Sequence, residues 1–261
     1  MRPHHERAIQ RLVEHFAGDE TCLGIVVGGS VAKGLEREDS DVDVMLVVAD
    51  EVHRERWEKN QLFYITGEFC DYPGGYIDGK YVNMDYLRAA ADRGNEITRA
   101  AFHGAYVAHS KIAGLDEIVR RIPVYQLGEQ REKVQAFYAQ FEAAAWYLSE
   151  AVRRDDRYLL LHAASELALY GCRLILEHNE VLYPYHKHLL VEIERAPDRP
   201  DDLPRLVEAL VAAPGAETAR AFYDAIKAFR NWNEAFEAWQ TRYMKDTELA
   251  WLDGREYVGD R

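Results

Sequence analysis

Gly28-Gly29-Ser30-Val31-Ala32-Lys33-Gly34-Leu35, followed shortly by Ser40-Asp41-Val42-Asp43-Val44-Met45-Leu46-Val47-Val48, decides the reading of this chain. A Gly-Gly-Ser turn entered from the apolar run Leu23 to Val27 lets the backbone come close to a phosphate and point N–H groups and a hydroxyl at it. Ser30 is also placed to serve as a helix N-cap, a role with the same geometry. Asp41 and Asp43 are two apart at the start of an apolar run, so a strand turns both carboxylates to one face. Adjacent anions repel unless a cation lies between them, and hard oxygen ligands select Mg²⁺ or Mn²⁺. The same dication would bridge to phosphates held by the turn.

Working outward, Ile9, Leu12, Val13 and Phe16 fall at helical spacing within residues 4 to 17. Asp41 to Val48 reads as a strand with Val42, Val44, Leu46 and Val48 opposite the carboxylates, and residues 50 to 59 as a solvated helix. Gln61 to Thr66 and Tyr76 to Leu87 read as further strands, with Asp78-Gly79 as a tight hairpin turn. On that reading Tyr81, Asn83 and Asp85 share a face, and Asp85 is a lone acid on a strand suited to burial, expensive unless paired or bound to a cation. Glu68, Asp71 and Asp78 are the competing acids, Asp78 being explained as a turn residue.

Residues 92 to 102 read as helix, Ala105 to Ala108 as a small strand, Asp116 to Arg121 as a short helix and Pro123 to Gly128 as a linker. Strand-like segments then disappear. Helices are expected over 130 to 153, 158 to 178, 185 to 195 and 206 to 212. A last one runs from Glu217 to about Tyr243 and buries Phe222, Ile226, Phe229, Phe236 and Trp239. The expected architecture is α+β: a mixed sheet with flanking helices over 1–125, then an all-α bundle over 126–261.

With 261 residues, 48% hydrophobic and 30% charged, the chain is an ordinary folded protein large enough for two modest domains. A formal net charge of −13 weighs against a nucleic-acid substrate, which calls for a positive stripe. The first residues lack the apolar core of a secretory signal and no run approaches a bilayer span, so a cytoplasmic protein without a membrane partner is expected. Cys22, Cys70 and Cys172 lie far apart without C-x-x-C spacing, which argues against a disulfide framework or a zinc knuckle. A monomer and a homodimer are equally open.

Gly29-Ser30, the short spacer with Gly34, and Ser40-Asp41-Val42-Asp43 leading a hydrophobic strand resemble the signature of the polymerase-beta-type nucleotidyltransferases, and most of all the branch that adenylylates aminoglycosides and related antibiotics. The resemblance implies a metal-dependent enzyme that moves a nucleoside monophosphate, AMP from ATP, onto a hydroxyl of a small-molecule acceptor and releases pyrophosphate. It implies a nucleotidyltransferase-type sheet, phosphates held by Gly29 and Ser30, and Mg²⁺ or Mn²⁺ held by Asp41 and Asp43. A third carboxylate arrives from a later strand in that family, and Asp85 is the expected match, as metal ligand and as base for the acceptor proton. A helical-domain lysine often reaches the triphosphate, which points to Lys187. A protein-modifying, antitoxin-like nucleotidyltransferase and an inactive nucleotide-binding interaction module are the alternatives. In the helical half, His162, Glu166 and Tyr170 lie four apart and form either a pocket wall or a polar stripe. Arg173 and His178 match a loose Arg-x4-His spacing known from helical ribonucleases.

Overall fold

The apolar stripe of the first segment forms helix α1 (Pro3–Ala17), which buries Ile9, Leu12 and Phe16. Strand β1 (Cys22–Val27) delivers the glycine turn, and a single helical turn, α2 (Gly29–Ala32), follows it. Strand β2 (Val42–Val48), helix α3 (Asp50–Glu58) and strands β3 (Phe63–Thr66) and β4 (Ile77–Val82) come next. Helices α4 (Met84–Arg93) and α5 (Glu96–Ala101), strand β5 (Tyr106–Ser110) and helix α6 (Leu115–Arg121) complete the first unit, Met1–Val124. These come from a computed structural model that describes residues 1–232, 238–254 and 258.

The five strands form one mixed sheet in the order β3-β4-β2-β1-β5. β2 pairs antiparallel with β1 and parallel with β4, while β3 pairs antiparallel with β4. Both faces of β2 are buried, which is why its sequence is an almost unbroken apolar run. Val42, Val44, Leu46 and Val48 pack with Ile9, Leu12 and Phe16 of α1. Met45 and Val47 pack on the opposite face with Leu87 and Ala90 of α4 and Leu115 and Val119 of α6.

The expected hairpin at Asp78-Gly79 is not a turn. Both residues lie inside β4, with Asp78 paired to Asp43 on one side and to Ile65 on the other. Gly79 is there for space: a Cβ would stand 2.9 Å from a Val44 methyl and 3.2 Å from Tyr64. The reversal between β3 and β4 is made instead by residues 67–76, which contain Pro73-Gly74-Gly75. β4 then stops at Val82, because Asn83 caps α4 by accepting the Tyr86 N–H at 2.9 Å. Asp85 therefore sits in the first turn of a helix, where a negative charge complements the helix dipole, and not on a strand.

The second unit, Tyr125–Arg261, is helical in its described residues. Helices α7 (Gln130–Arg154) and α8 (Arg157–His178) are joined by α9 (Leu189–Arg195), α10 (Leu203–Ala212), α11 (Ala216–Phe229) and α12 (Trp239–Asp246). The long terminal helix expected from the sequence is interrupted: α11 ends at Phe229 because Arg230 is extended, with φ −153 and ψ 150. Phe236, expected in its buried stripe, lies outside the described residues. α8 is long and apolar enough to cross a membrane by composition, yet 61% of its apolar window is buried within the protein, as in the core helix of a bundle.

Gly171 lies where α8 meets α7 and α11. A Cβ there would come within 2.6 Å of the Phe222 ring and 3.2 Å of Phe141. Gly171→Ala is expected to destabilise the second unit by about 1–3 kcal/mol despite the better helix propensity of alanine, since fully buried rings must move. Urea unfolding followed by fluorescence checks this, and an unchanged or raised midpoint would show that the rings yield freely.

Candidate active site

β2 and β4 run parallel in a register that sets Asp43 beside Asp78. Asp41 stands just ahead of β2, and ligand oxygens of Asp41, Asp43 and Asp78 all lie within 4.8 Å of one another. All three side chains are half-buried. Tyr76, just ahead of β4, donates its hydroxyl to the Asp41 carboxylate, which holds the Tyr76 phenol above its usual range. Burial, followed by the neighbouring Asp41 charge, pushes the Asp78 carboxyl up, and Lys80 opposes the shift.

The glycine turn abuts this cluster. The Gly28 N–H donates to the Asp43 carbonyl at 2.9 Å. Gly29 has φ +62, and a Cβ on it would fall 1.6 Å from Oδ2 of Asp43, inside the carboxylate itself. Glycine is thus required twice, by the left-handed backbone and by the close approach. The residue at the N-cap of α2 is Gly28, and Ser30 lies within the helical turn, so the N-cap role expected for Ser30 is not the one it has. Ser30 is partly exposed.

Asp41 is held from behind. The carbonyl of Ser40 accepts from Tyr72 Oη at 2.8 Å and from Nε2 of the fully buried His5 at 3.1 Å. Burial is the largest influence on His5 and lowers its pKa. The rings of His4, His5 and Tyr72 pack together with centroids 4.2 to 5.0 Å apart. Ser40 Oγ in turn accepts the Arg37 N–H at 2.9 Å.

Gly29, Asp41 and Asp43 are therefore brought together, with Ser30 one residue along the turn. Asp85 is not among them: its side chain is 73% exposed and pairs with Arg88 at 3.0 Å. The carboxylate that groups with Asp41 and Asp43 is that of Asp78. Of the other acids weighed, Asp71 pairs with Arg7 and Arg11, and Glu68 is exposed. Lys187 lies exposed in a short turn of the second unit, His186–His188. Tyr170 is fully buried against Phe137, whereas His162 is exposed, so the four-apart set is a stripe running from surface to core. Arg173 is fully buried between the rings of Phe137 and Tyr183, 4.0 and 4.2 Å from their centroids. His178 instead bonds Asp198 at 2.6 Å and Arg230 at 2.9 Å. The Arg-x4-His spacing thus does not build an open ribonuclease-like pair.

The raised Asp78 carboxyl has a consequence for stability. A group that binds its proton more tightly in the folded state than in the unfolded one stabilises fully below its unfolded pKa, near 3.8, and loses that contribution as pH rises through the folded value. In a chelator, Asp78→Asn is therefore expected to raise Tm relative to wild type by an amount that grows as pH rises from about 3.8 through the folded pKa and levels off above it. Thermal melts of both proteins across pH check the difference, and a constant gap would mean that Asp78 is not under this stress.

No curated protein sequence matches the chain. Among solved structures, it is similar to a nucleotidyltransferase-like protein from Exiguobacterium sibiricum 255-15, at 9% identity and a TM-score of 0.46, covering 96% of this chain and 80% of the other. The nucleotidyltransferase domain family matches residues 8–139, which include the glycine turn and all three clustered aspartates. That match takes in half of the chain, and this protein belongs to the nucleotidyltransferase domain family and is a nucleotidyltransferase enzyme.

Proposed function

We propose that the chain transfers AMP from ATP to a hydroxyl of a small-molecule acceptor, at a site built on Asp41, Asp43 and Asp78. The observation that carries this reading is the convergence of three half-buried carboxylates beside the Gly29-Ser30 turn. An all-oxygen donor set of this density fits a hard dication, Mg²⁺ or Mn²⁺, and these three aspartates would hold it. When bound, the ion supplies charge neutralisation on the triphosphate and Lewis-acid polarisation of the α-phosphoryl group.

The chain's own groups do the rest. Gly29 and Ser30 receive the phosphates with backbone N–H groups and a hydroxyl. The acceptor oxygen forms its bond to the α-phosphorus as the bond from that phosphorus to the β-phosphate oxygen breaks, and pyrophosphate leaves. The acceptor proton passes to the Asp78 carboxylate, which stands beside Asp43 in the strand register. Tyr76 keeps the Asp41 carboxylate oriented toward the cluster.

The test is pyrophosphate release from each nucleoside triphosphate with Mg²⁺ or Mn²⁺, against aminoglycosides, lincosamides, nucleosides and aromatic alcohols, with Asp43→Asn in parallel. Release that needs an acceptor and disappears in Asp43→Asn supports the reading. Release that survives this substitution would overturn it, and label from ATP ending on protein would move the acceptor from a small molecule to a polypeptide.

A further inference from the structure

The strand register extends this site beyond its carboxylates. On the sheet face that carries Asp43 and Asp78, the β3/β4 pairing sets Ile65 beside Asp78 and Phe63 beside Lys80. One row across the strands therefore reads Asp43, Asp78, Ile65, and the next reads Met45, Lys80, Phe63. Farther along the same face Val47 and Val82 are buried with residues of α4 and α6. Phe63 and Ile65 are not covered: they are 62% and 60% exposed. A lone exposed apolar residue needs no explanation. Here two alternate positions of one edge strand present large apolar side chains to solvent, while Tyr64 between them packs into the core on the other face. An antiparallel edge strand with one solvated face normally places polar residues there.

We propose that Phe63 and Ile65, with Lys80 beside them, form the seat of the acceptor, and that the acceptor carries an apolar or aromatic ring next to its reacting hydroxyl. This rests on the reading of Asp78 as part of the transfer site. Neighbouring strands lie about 5 Å apart, so a hydroxyl at Asp78 places a ring one or two carbons away over Ile65 and Phe63. Lys80, exposed in the same floor, repels a polycation and favours a neutral or acidic acceptor. The seat thus separates this enzyme from the aminoglycoside specificity that its glycine and aspartate motif resembles.

The probe is 2-phenylethanol, titrated into the full chain labelled with ¹³C at isoleucine methyl groups, with kanamycin as the polycationic counterpart. The Ile65 methyl resonance should move with 2-phenylethanol while that of the buried Ile25 stays fixed, and kanamycin should leave both in place. Phe63→Ser, at an exposed position, should weaken the response about tenfold, the worth of one aromatic contact. The proposal is overturned if the Ile65 methyl does not move, if Phe63→Ser responds like wild type, if kanamycin moves it as strongly, or if it moves with protein concentration alone, which would mean that a second copy pairs along β3. Mn²⁺ tests the underlying site separately: it should broaden the Ile65 methyl in wild type and not in Asp78→Asn. Probe binding without that broadening would leave an apolar site unconnected to transfer and would overturn the acceptor role.

Discussion

Asp78→Asn is expected to lower kcat by about 10²–10⁴-fold, the usual cost of removing a general base, and to weaken metal-dependent ATP binding, since Asp78 is also one of the three carboxylates proposed to hold the ion. The asparagine keeps the size and the strand position but takes no proton and is a weaker ligand for the ion, so the loss falls on the transition state as well as on metal-assisted binding. Asp85→Asn, by contrast, should turn over like wild type, because Asp85 is solvated on α4 and bound to Arg88. A surface pair of that kind contributes little to stability as well. Steady-state kinetics on the two variants decide between the two acids. A severe Asp85→Asn defect beside a mild Asp78→Asn one would return the role to the helix and refute the assignment made from the strand register.

Gly29→Ala should be nearly as damaging, for a reason that a matched control isolates. The substitution forces a Cβ into the space of the Asp43 carboxylate and places alanine at φ +62. The backbone strain alone costs about 1–2 kcal/mol. Displacing Asp43 by an ångström or so is expected to cost about 100-fold in kcat/KM. Gly34 also has positive φ, +67, but a Cβ there meets nothing within 4 Å. Gly34→Ala therefore shares the strain without the collision. Chemical denaturation should show comparable destabilisation in both proteins, and kinetics should show a deep loss only in Gly29→Ala. Equal activity losses would mean that the turn matters through its backbone and not through its contact with Asp43.

Asp41 and Asp43 were legible because a period of two at the head of an apolar run leaves little choice of face, and the glycine turn because its neighbours on both sides are strongly apolar. Asp78 was hidden by its neighbour. Asp-Gly is the strongest short hairpin signal, and nothing local tells a glycine needed for a positive φ from one needed because Val44 and Tyr64 press on it. The same misreading carried the strand through to Leu87 and left Asp85 looking stranded on a buried face. A local signal against it did exist: Asn83 followed by an acid two residues on is a helix start, with a cap and a charge suited to the dipole. Tyr76 and the Ile65-Phe63 floor could not be read at all, since their meaning comes from partners on other strands. In the helical unit the periodic stripes placed α7 and α8 well, but the stripe of α11 continues in sequence past the point where Arg230 leaves the helix.

The clasp on the Ser40 carbonyl bears on where this enzyme can be cut. Its histidine comes from the first turns of α1, while the family match begins at residue 8 and runs to 139, inside α7. A fragment trimmed to the matched segment would discard His4 and His5, leave the Ser40 carbonyl held by Tyr72 without the His5 bond, and end partway through a helix belonging to the other unit. Boundaries drawn from family similarity alone would thus cut away a buried histidine that supports the backbone next to Asp41. A boundary that keeps the amino-terminal helix whole and falls after Val124 follows the division between the two compact units.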